Sequence, residues 1–271
     1  MSSGVSEQSS RQRWLCIDTG ERDGKFNMDY DLHLVDEAKL TGTPVLRFYR
    51  WRPYCLSLGK NQDDSEINSI LAKENQVNVV RRPTGGKAVL HAEELTYSVV
   101  MNTKETSLRE SYNMISRALA EGLRKIGADV ELSEGSADFR KLFRDPSTIP
   151  CFSTSAAYEV EWHGRKLIGS AQHRFGDILL QHGSILIGNF HKEIVRYLRI
   201  SEELKQKTQE DLEKHTVTLT DILKRETGAE EIMGGIKKGF ENIFNANFSE
   251  GIIKNTGSVD VPLSVAIKWC L

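Results

Sequence analysis

Arg81-Arg82-Pro83-Thr84-Gly85-Gly86-Lys87-Ala88-Val89-Leu90-His91 places cations, a glycine pair and a histidine directly behind the β-branched run Val77-Asn78-Val79-Val80. Pro83 and the glycines end one strand and Leu95-Thr96-Tyr97-Ser98-Val99-Val100 makes another, so two strands are predicted to flank a tight turn. Glycine lets backbone pass close to a ligand with its N–H groups exposed, and Arg81, Arg82 and Lys87 add positive charge. Two readings fit this composition: a pocket wall for an anionic or strongly polar group, and a basic hairpin tip on a solvated surface. A phosphate-binding P-loop does not fit. Gly86-Lys87 is followed by Ala88 rather than Ser or Thr, and Arg81 stands where that motif needs its first glycine.

Outward from this turn the chain alternates strand and helix signals. Upstream, Trp14 to Ile17 reads as a short strand, and Asn27 as the cap of a helix carrying Met28, Leu32, Val35 and Ala38 to a stop near Gly42. Val45 to Tyr49 and Cys55 to Leu58 read as adjacent strands about a turn at Arg52-Pro53, and Asp64 to Lys73 as a helix. Downstream, Leu108 to Ile126 sets Tyr112, Ile115, Leu119 and Leu123 on one face before a glycine stop at Gly127. Periodicity fails from Ser133 to Pro150, a loop of the length that is often functional, and Cys151 stands at its end. Tyr158 to Trp162, the turn His163-Gly164 and the strand opened by Lys166 to Gly169 make a hairpin. Ile178 to Leu180 and Ser184 to Ile187 extend the sheet. Beyond Phe190, helices are expected at Glu193 to Leu198, Leu219 to Lys224 behind a Thr218 cap, and Glu230 to Phe244. The fold class expected is α/β (α+β), with mixed, largely antiparallel twisted sheets flanked by helices. One main domain spans 14–254, between a disordered polar tail at 1–13 and a strand or arm at 255–271 that alternates Val259, Val261, Leu263, Val265 and Ile267.

The 271 residues can bury a core without disulfide or metal support, and 39% apolar with 27% charged residues is ordinary for a soluble globular protein. A net charge of −2 argues against general nucleic-acid affinity, and no segment is apolar enough to span a membrane. The start is Ser-rich and lacks a signal-peptide core, and Cys16, Cys55, Cys151 and Cys270 form no C-x-x-C pair, so a reducing, cytoplasmic setting without a metal site is expected.

Cys151 taken alone is weak evidence, since a free cysteine is more often a small buried hydrophobe. Its place at a loop-to-strand junction, opposite the strand of Lys166, raises its standing: a nearby ammonium stabilises a thiolate. Without that hairpin, Lys166 is a surface charge. His91, His173 and His182 each invite a Cys–His dyad and each also suits a hydrogen-bonded structural role.

Together these residues resemble the lipoyl and octanoyl transferase family, whose catalytic fold is shared with lipoate-protein ligases and biotin ligases. The resemblance covers most of the chain. The turn at 81–91 is similar to the family's Arg-Arg-x-x-Gly-Gly signature. Lys166-Leu167-Ile168-Gly169-Ser170-Ala171-Gln172 followed by Gln181-His182-Gly183 is similar to its second signature. Cys151-Phe152, Ser155, Tyr158-Glu159 and Lys166 most resemble the cysteine-dependent octanoyltransferases of the LipM type.

That resemblance implies that Cys151 carries the acyl group as a thioester and that Lys166 lowers the thiol pKa. It also implies that Arg81, Arg82, Gly85, Gly86, Lys87, Ala88, Val89, His91, Gly169, Gln172, His182 and Gly183 line the substrate site. Lys87 departs from the ligases, which have a third glycine lining the acyl-adenylate site at this position. The reaction implied is octanoyl transfer from octanoyl-acyl carrier protein to a lysine of a lipoyl domain or glycine cleavage H protein, with no cofactor. Three rivals stand beside it: an ATP-dependent lipoate-protein ligase, an octanoyl-H-protein amidotransferase and a non-enzymatic acyl-carrier-binding module.

Overall fold

The computed structural model describes residues 11–133 and 158–248, with backbone at 253–254. Cys151, most of the loop before it and the alternating run 255–271 lie outside the described residues. The chain runs β1 (Gln12–Arg13), β2 (Leu15–Arg22), α1 (Gly24–Thr41), β3 (Val45–Trp51), β4 (Cys55–Leu58), α2 (Ser69–Glu74), β5 (Asn78–Arg81), β6 (Val89–His91), β7 (Glu94–Asn102) and α3 (Leu108–Lys125). It continues through β8 (Glu131–Leu132), β9 (Val160–Trp162), β10 (Arg165–Lys166), β11 (Ile168–Phe175), β12 (Ile178–Leu186), a 3-10 segment Phe190–Tyr197, α4 (Glu202–His215), α5 (Leu219–Leu223), α6 (Ala229–Ile243), β13 (Ala246–Asn247) and β14 (Ile253–Lys254).

The main sheet has six strands in the order β11-β12-β7-β3-β2-β14, antiparallel from β11 to β3 and parallel from there outward. A second sheet, β5-β4-β6, carries the glycine turn between β5 and β6, and a third, β10-β9-β8, carries Lys166. The main sheet's two faces differ. On one, Leu95, Tyr97 and Val99 pack with Ile115, Leu119 and Leu123 of α3 and with Ile236 and Phe240 of α6 in one large core. On the other, α1 covers Val45, Val100 and Leu180, yet the same face also carries the row Arg47, Ser98 and His182, which align strand to strand. That polar row under a helix points to a site.

Helix α3 forms where expected, from a Ser107–Glu110 capping box to a left-handed Gly127 at φ +94°. Thr218 caps α5 through a capping box with Asp221, and the β9–β10 hairpin turns on His163 and Gly164, both at positive φ. Other expectations are corrected. The first helix starts at Gly24 under an Asp23 cap, because the Asp23 carboxylate takes the Phe26 N–H; Asn27 lies inside it, donating to the Arg22 and Arg50 carbonyls. β3 and β4 follow each other in sequence but belong to different sheets. The strands expected to flank the glycine turn do not pair either: Val77 to Val80 runs into β5, Leu95 to Val100 lies in β7 of the main sheet, and β4 also stands between β5 and β6, so this is no hairpin tip. The helix expected from Asp64 to Lys73 is split into a 3-10 turn at Asp64–Glu66 and α2. Gln12–Arg13, inside the stretch read as a tail, pair with Ala246–Asn247.

Candidate active site

The glycine turn is held from several directions. Arg82 is buried, and its guanidinium donates to the carbonyls of Ser57, Gly85 and Lys87 and to Ser57 Oγ. Arg81 donates to the Gly59, Lys60 and Gln62 carbonyls and pairs with Asp64. Arg82 therefore braces the turn itself, and Arg81 holds the segment 59–64 beside it. Gly86 takes φ +98°, and Gly59 packs so closely on its carbonyl that a Cβ at 59 has no room. Lys87 is half-buried, while Ala88 and Val89 are buried in and beside β6.

Thr84 joins the turn to the main sheet. Its hydroxyl lies 2.7 Å from His182 Nε2, and His182 Nδ1 lies 3.0 Å from Asp31 Oδ2 on α1. Asp31 also accepts from Arg47 at 2.7 Å, Ser98 at 2.8 Å and Tyr49 at 3.1 Å. His91 heads a second buried chain: Nε2 is 2.7 Å from Ser57 Oγ and Nδ1 is 2.9 Å from Glu94 Oε1, with the ring stacked 4.1 Å from Trp51. Ser184 and Thr96 donate to the same Glu94 oxygen. Burial, against the pull of Asp31, holds the His182 pKa below its ordinary value, while Asp31 stays low beside Arg47. Buried nitrogens engaged on both sides do not suit either histidine to take a proton from Cys151.

The second signature meets the first here. Gly183 pairs with Ser170 and with Tyr97, and a Cβ at 183 would stand 2.6 Å from the Gly169 carbonyl and 2.8 Å from the Tyr97 ring. Burial raises the Tyr97 hydroxyl to about 12; it bonds Ser170 at 2.7 Å and Gln181 at 3.0 Å. Gly169 and Ala171 are only half-buried on edge strand β11. Gln172 donates to the Leu108 carbonyl at the start of α3, and His173 meets Lys60 Nζ at 3.2 Å. Burial, then the Lys60 charge, lowers the His173 pKa.

Lys166 is buried, with Nζ 2.5 Å from Glu159 Oε1, just past the segment that contains Cys151. The base of that segment is closed by Ser133, whose backbone and hydroxyl bond Tyr158 and Glu159. Burial raises the Cys16 thiol to about 12 and drives the Cys55 thiol up as well, so neither is a nucleophile at neutral pH. Sequence reading missed Asp31, Ser57 and Glu94 as members of this cluster, and singled out Glu159, one residue before β9, only within the resemblance. Asp31 lies 151 residues from His182 and carries no local signal.

The chain matches the lipoyl protein ligase A/B catalytic domain over residues 23–241. It is 40% identical over 244 residues to the octanoyltransferase LipM of Carboxydothermus hydrogenoformans, covering 88% of each chain. It is 35% identical over 247 residues to that of Kyrpidia tusciae, covering 89% of this chain and 90% of the relative. Among solved structures it is similar to the archaeal bi-partite lipoate protein ligase of Thermoplasma acidophilum, with TM-score 0.73, 20% identity, and 90% and 89% of the two chains covered. It is also similar to a lipoate-protein ligase A bound with ATP, with TM-score 0.71, 22% identity and 91% of each chain covered. At those identities the structural likeness establishes the fold, and the sequence relatives establish the group. With its glycine turn seated on the Gln181-His182-Gly183 strand, the chain belongs to the lipoyl protein ligase A/B catalytic-domain family and, within it, to the LipM octanoyltransferases.

Proposed function

We propose that this protein moves an octanoyl group from octanoyl-acyl carrier protein, through a thioester on Cys151, to a lysine ε-amino group of a lipoyl domain or glycine cleavage H protein. The Cys151 thiolate attacks the donor's thioester carbonyl; the new C–S bond forms as the carrier's C–S bond breaks, and the carrier thiol takes the proton. The acceptor amine then attacks the acyl-enzyme, a C–N bond forms, and Cys151 leaves with the amine's proton. Thioester exchange is near-neutral in energy and amide formation is downhill, so no ATP, metal or other cofactor enters the balance. The protein is cytoplasmic in this reading. Lys166 is the observation that carries it: a buried lysine, held by Glu159, at the foot of the segment bearing Cys151. The high thiol pKa values of Cys16 and Cys55 support the same choice of nucleophile. Lining by the glycine turn, Gly169, Gln172 and Gly183 belongs to this proposal.

The test is modification of an acceptor domain by Cys151→Ala. Loss of transfer with the fold intact is expected, and transfer near the wild-type rate overturns the mechanism. Transfer that requires ATP and free octanoate moves the assignment to the ligase.

A further inference from the structure

Asp31 and His182 sit too deep to touch a carrier protein, yet they end on the Thr84 hydroxyl, which ties the glycine turn to the main sheet. His182 is 5% exposed, and Asp31 and Thr84 are fully covered. An ionised Asp31 only accepts hydrogen bonds, and Oδ2 faces His182 Nδ1 at 3.0 Å, so the proton of a neutral ring sits on Nδ1. Nε2 is then a bare lone pair, and the Thr84 hydroxyl 2.7 Å away must donate to it. Asp31 is itself fixed by Arg47, Ser98 and Tyr49, three donors on neighbouring strands. Every proton in this chain points toward the Asp31 carboxylate on α1: from Thr84 to His182, and from His182, Arg47, Ser98 and Tyr49 to Asp31.

We propose that Asp31 and His182 are positioning residues of the transferase: Asp31 fixes the His182 tautomer, and His182, which pairs with Ala171 of β11, seats the glycine turn on β12 by accepting from Thr84. The proposal rests on the octanoyltransferase reading for its consequence in catalysis and on geometry for the tautomer. Arg82 pins the opening of the turn independently, through Ser57. Loss of the Thr84 hydroxyl should therefore loosen Gly85 and Gly86 without unfolding the turn. Low burial-driven basicity of His182 is in keeping with a ring that stays neutral.

Two measurements test it. Nitrogen-15 NMR of the imidazoles in the wild-type protein at neutral pH should show His182 protonated at Nδ1 only; a proton on Nε2, or on both nitrogens, overturns the assignment. Single-turnover acylation by octanoyl-acyl carrier protein should slow on the order of tenfold in Thr84→Val, the equivalent of one buried hydrogen bond, at unchanged half-saturating donor. Thr84→Ser, which keeps the hydroxyl, should recover most of that rate. Equal loss in Thr84→Ser and Thr84→Val points to the threonine methyl, and a wild-type rate in Thr84→Val removes the positioning role; either result refutes the proposal. Should Thr84→Val fail to fold, the tautomer measurement decides alone. If wild-type Cys151 takes no octanoyl group, the transferase reading fails, and the tautomer result still stands or falls separately.

Discussion

Two glycines in α6 should respond to alanine with opposite signs. At Gly239 an added Cβ would press into the Ala118 carbonyl of α3 and stand 2.7 Å from the Gly122 amide nitrogen. Both are helix backbone and cannot swing aside, so the two helices must separate. Gly122 and Gly235 share the crossing: a Cβ on Gly122 would lie 2.7 Å from the Gly235 carbonyl, and one on Gly235 would lie 2.6 Å from the Gly122 carbonyl. At Gly234, one turn away, nothing lies within 4 Å. Alanine in a helix interior is worth about 1 kcal/mol over glycine at either position. Against that gain, overpacking costs about 1–3 kcal/mol, and contact with rigid backbone places Gly239 at the upper end. Gly239→Ala should therefore lose about 1–2 kcal/mol net, and Gly234→Ala should gain up to about 1 kcal/mol. For a chain of this size the first is a fall of roughly 2–8 °C in Tm and the second a rise of a few degrees. Thermal unfolding of the two variants beside wild type reads both shifts. Equal shifts of the same sign would refute the close-packing argument, since propensity alone treats the two positions alike.

Removing Lys166 with Lys166→Ala should move the pH profile of Cys151 alkylation by iodoacetamide to higher pH, because a cation within about 4–6 Å holds a thiol below its ordinary value near 8.5; superimposed profiles with lost transfer would assign Lys166 to acyl positioning instead. His191 is buried and its pKa is pushed down to about 4, below its ordinary 6.5. Its neutral form is therefore favoured in the folded state: the contribution is fully present above about pH 6.5 and is lost as pH falls toward 4, on the order of 3 kcal/mol in all. Urea unfolding across that window should show a shallower acid loss in His191→Gln than in wild type, and parallel curves would refute it.

Much of the architecture follows from local signals. Alternation and β-branching locate β7, β9 and β12, and the Ser107–Glu110 and Thr218–Asp221 capping boxes locate two helix starts. What local signals could not show is which strands share a sheet. Val77 to Val80 and Leu95 to Val100 read as the strands flanking the glycines, but the first runs into β5 of the small sheet and the second falls in β7 of the main sheet, and β4 stands between β5 and the short β6 that follows the turn. Helix α4 was missed since it buries only Thr208 and Leu212, leaving no apolar stripe to read; the Ser201 cap, Glu202 and Glu203 in the first turn and Lys214 and His215 in the last were the available signals. The site divides in the same way. Its glycines and His182 stand in short motifs, whereas Asp31 joins them only through the register that aligns Arg47, Ser98 and His182 across three strands. Arg81 and Arg82 read as free cations in sequence, and carbonyls from segments distant in sequence claim them in the fold.

The most direct test of the central claim is the intact mass of the protein after incubation with octanoyl-acyl carrier protein in the absence of ATP, followed by peptide mapping. The mass should rise by one octanoyl group, located on Cys151, released by hydroxylamine and absent in Cys151→Ala. An unchanged mass under those conditions, with modification appearing only when ATP and free octanoate are supplied, would contradict the thioester route and leave an adenylate-forming ligase in its place.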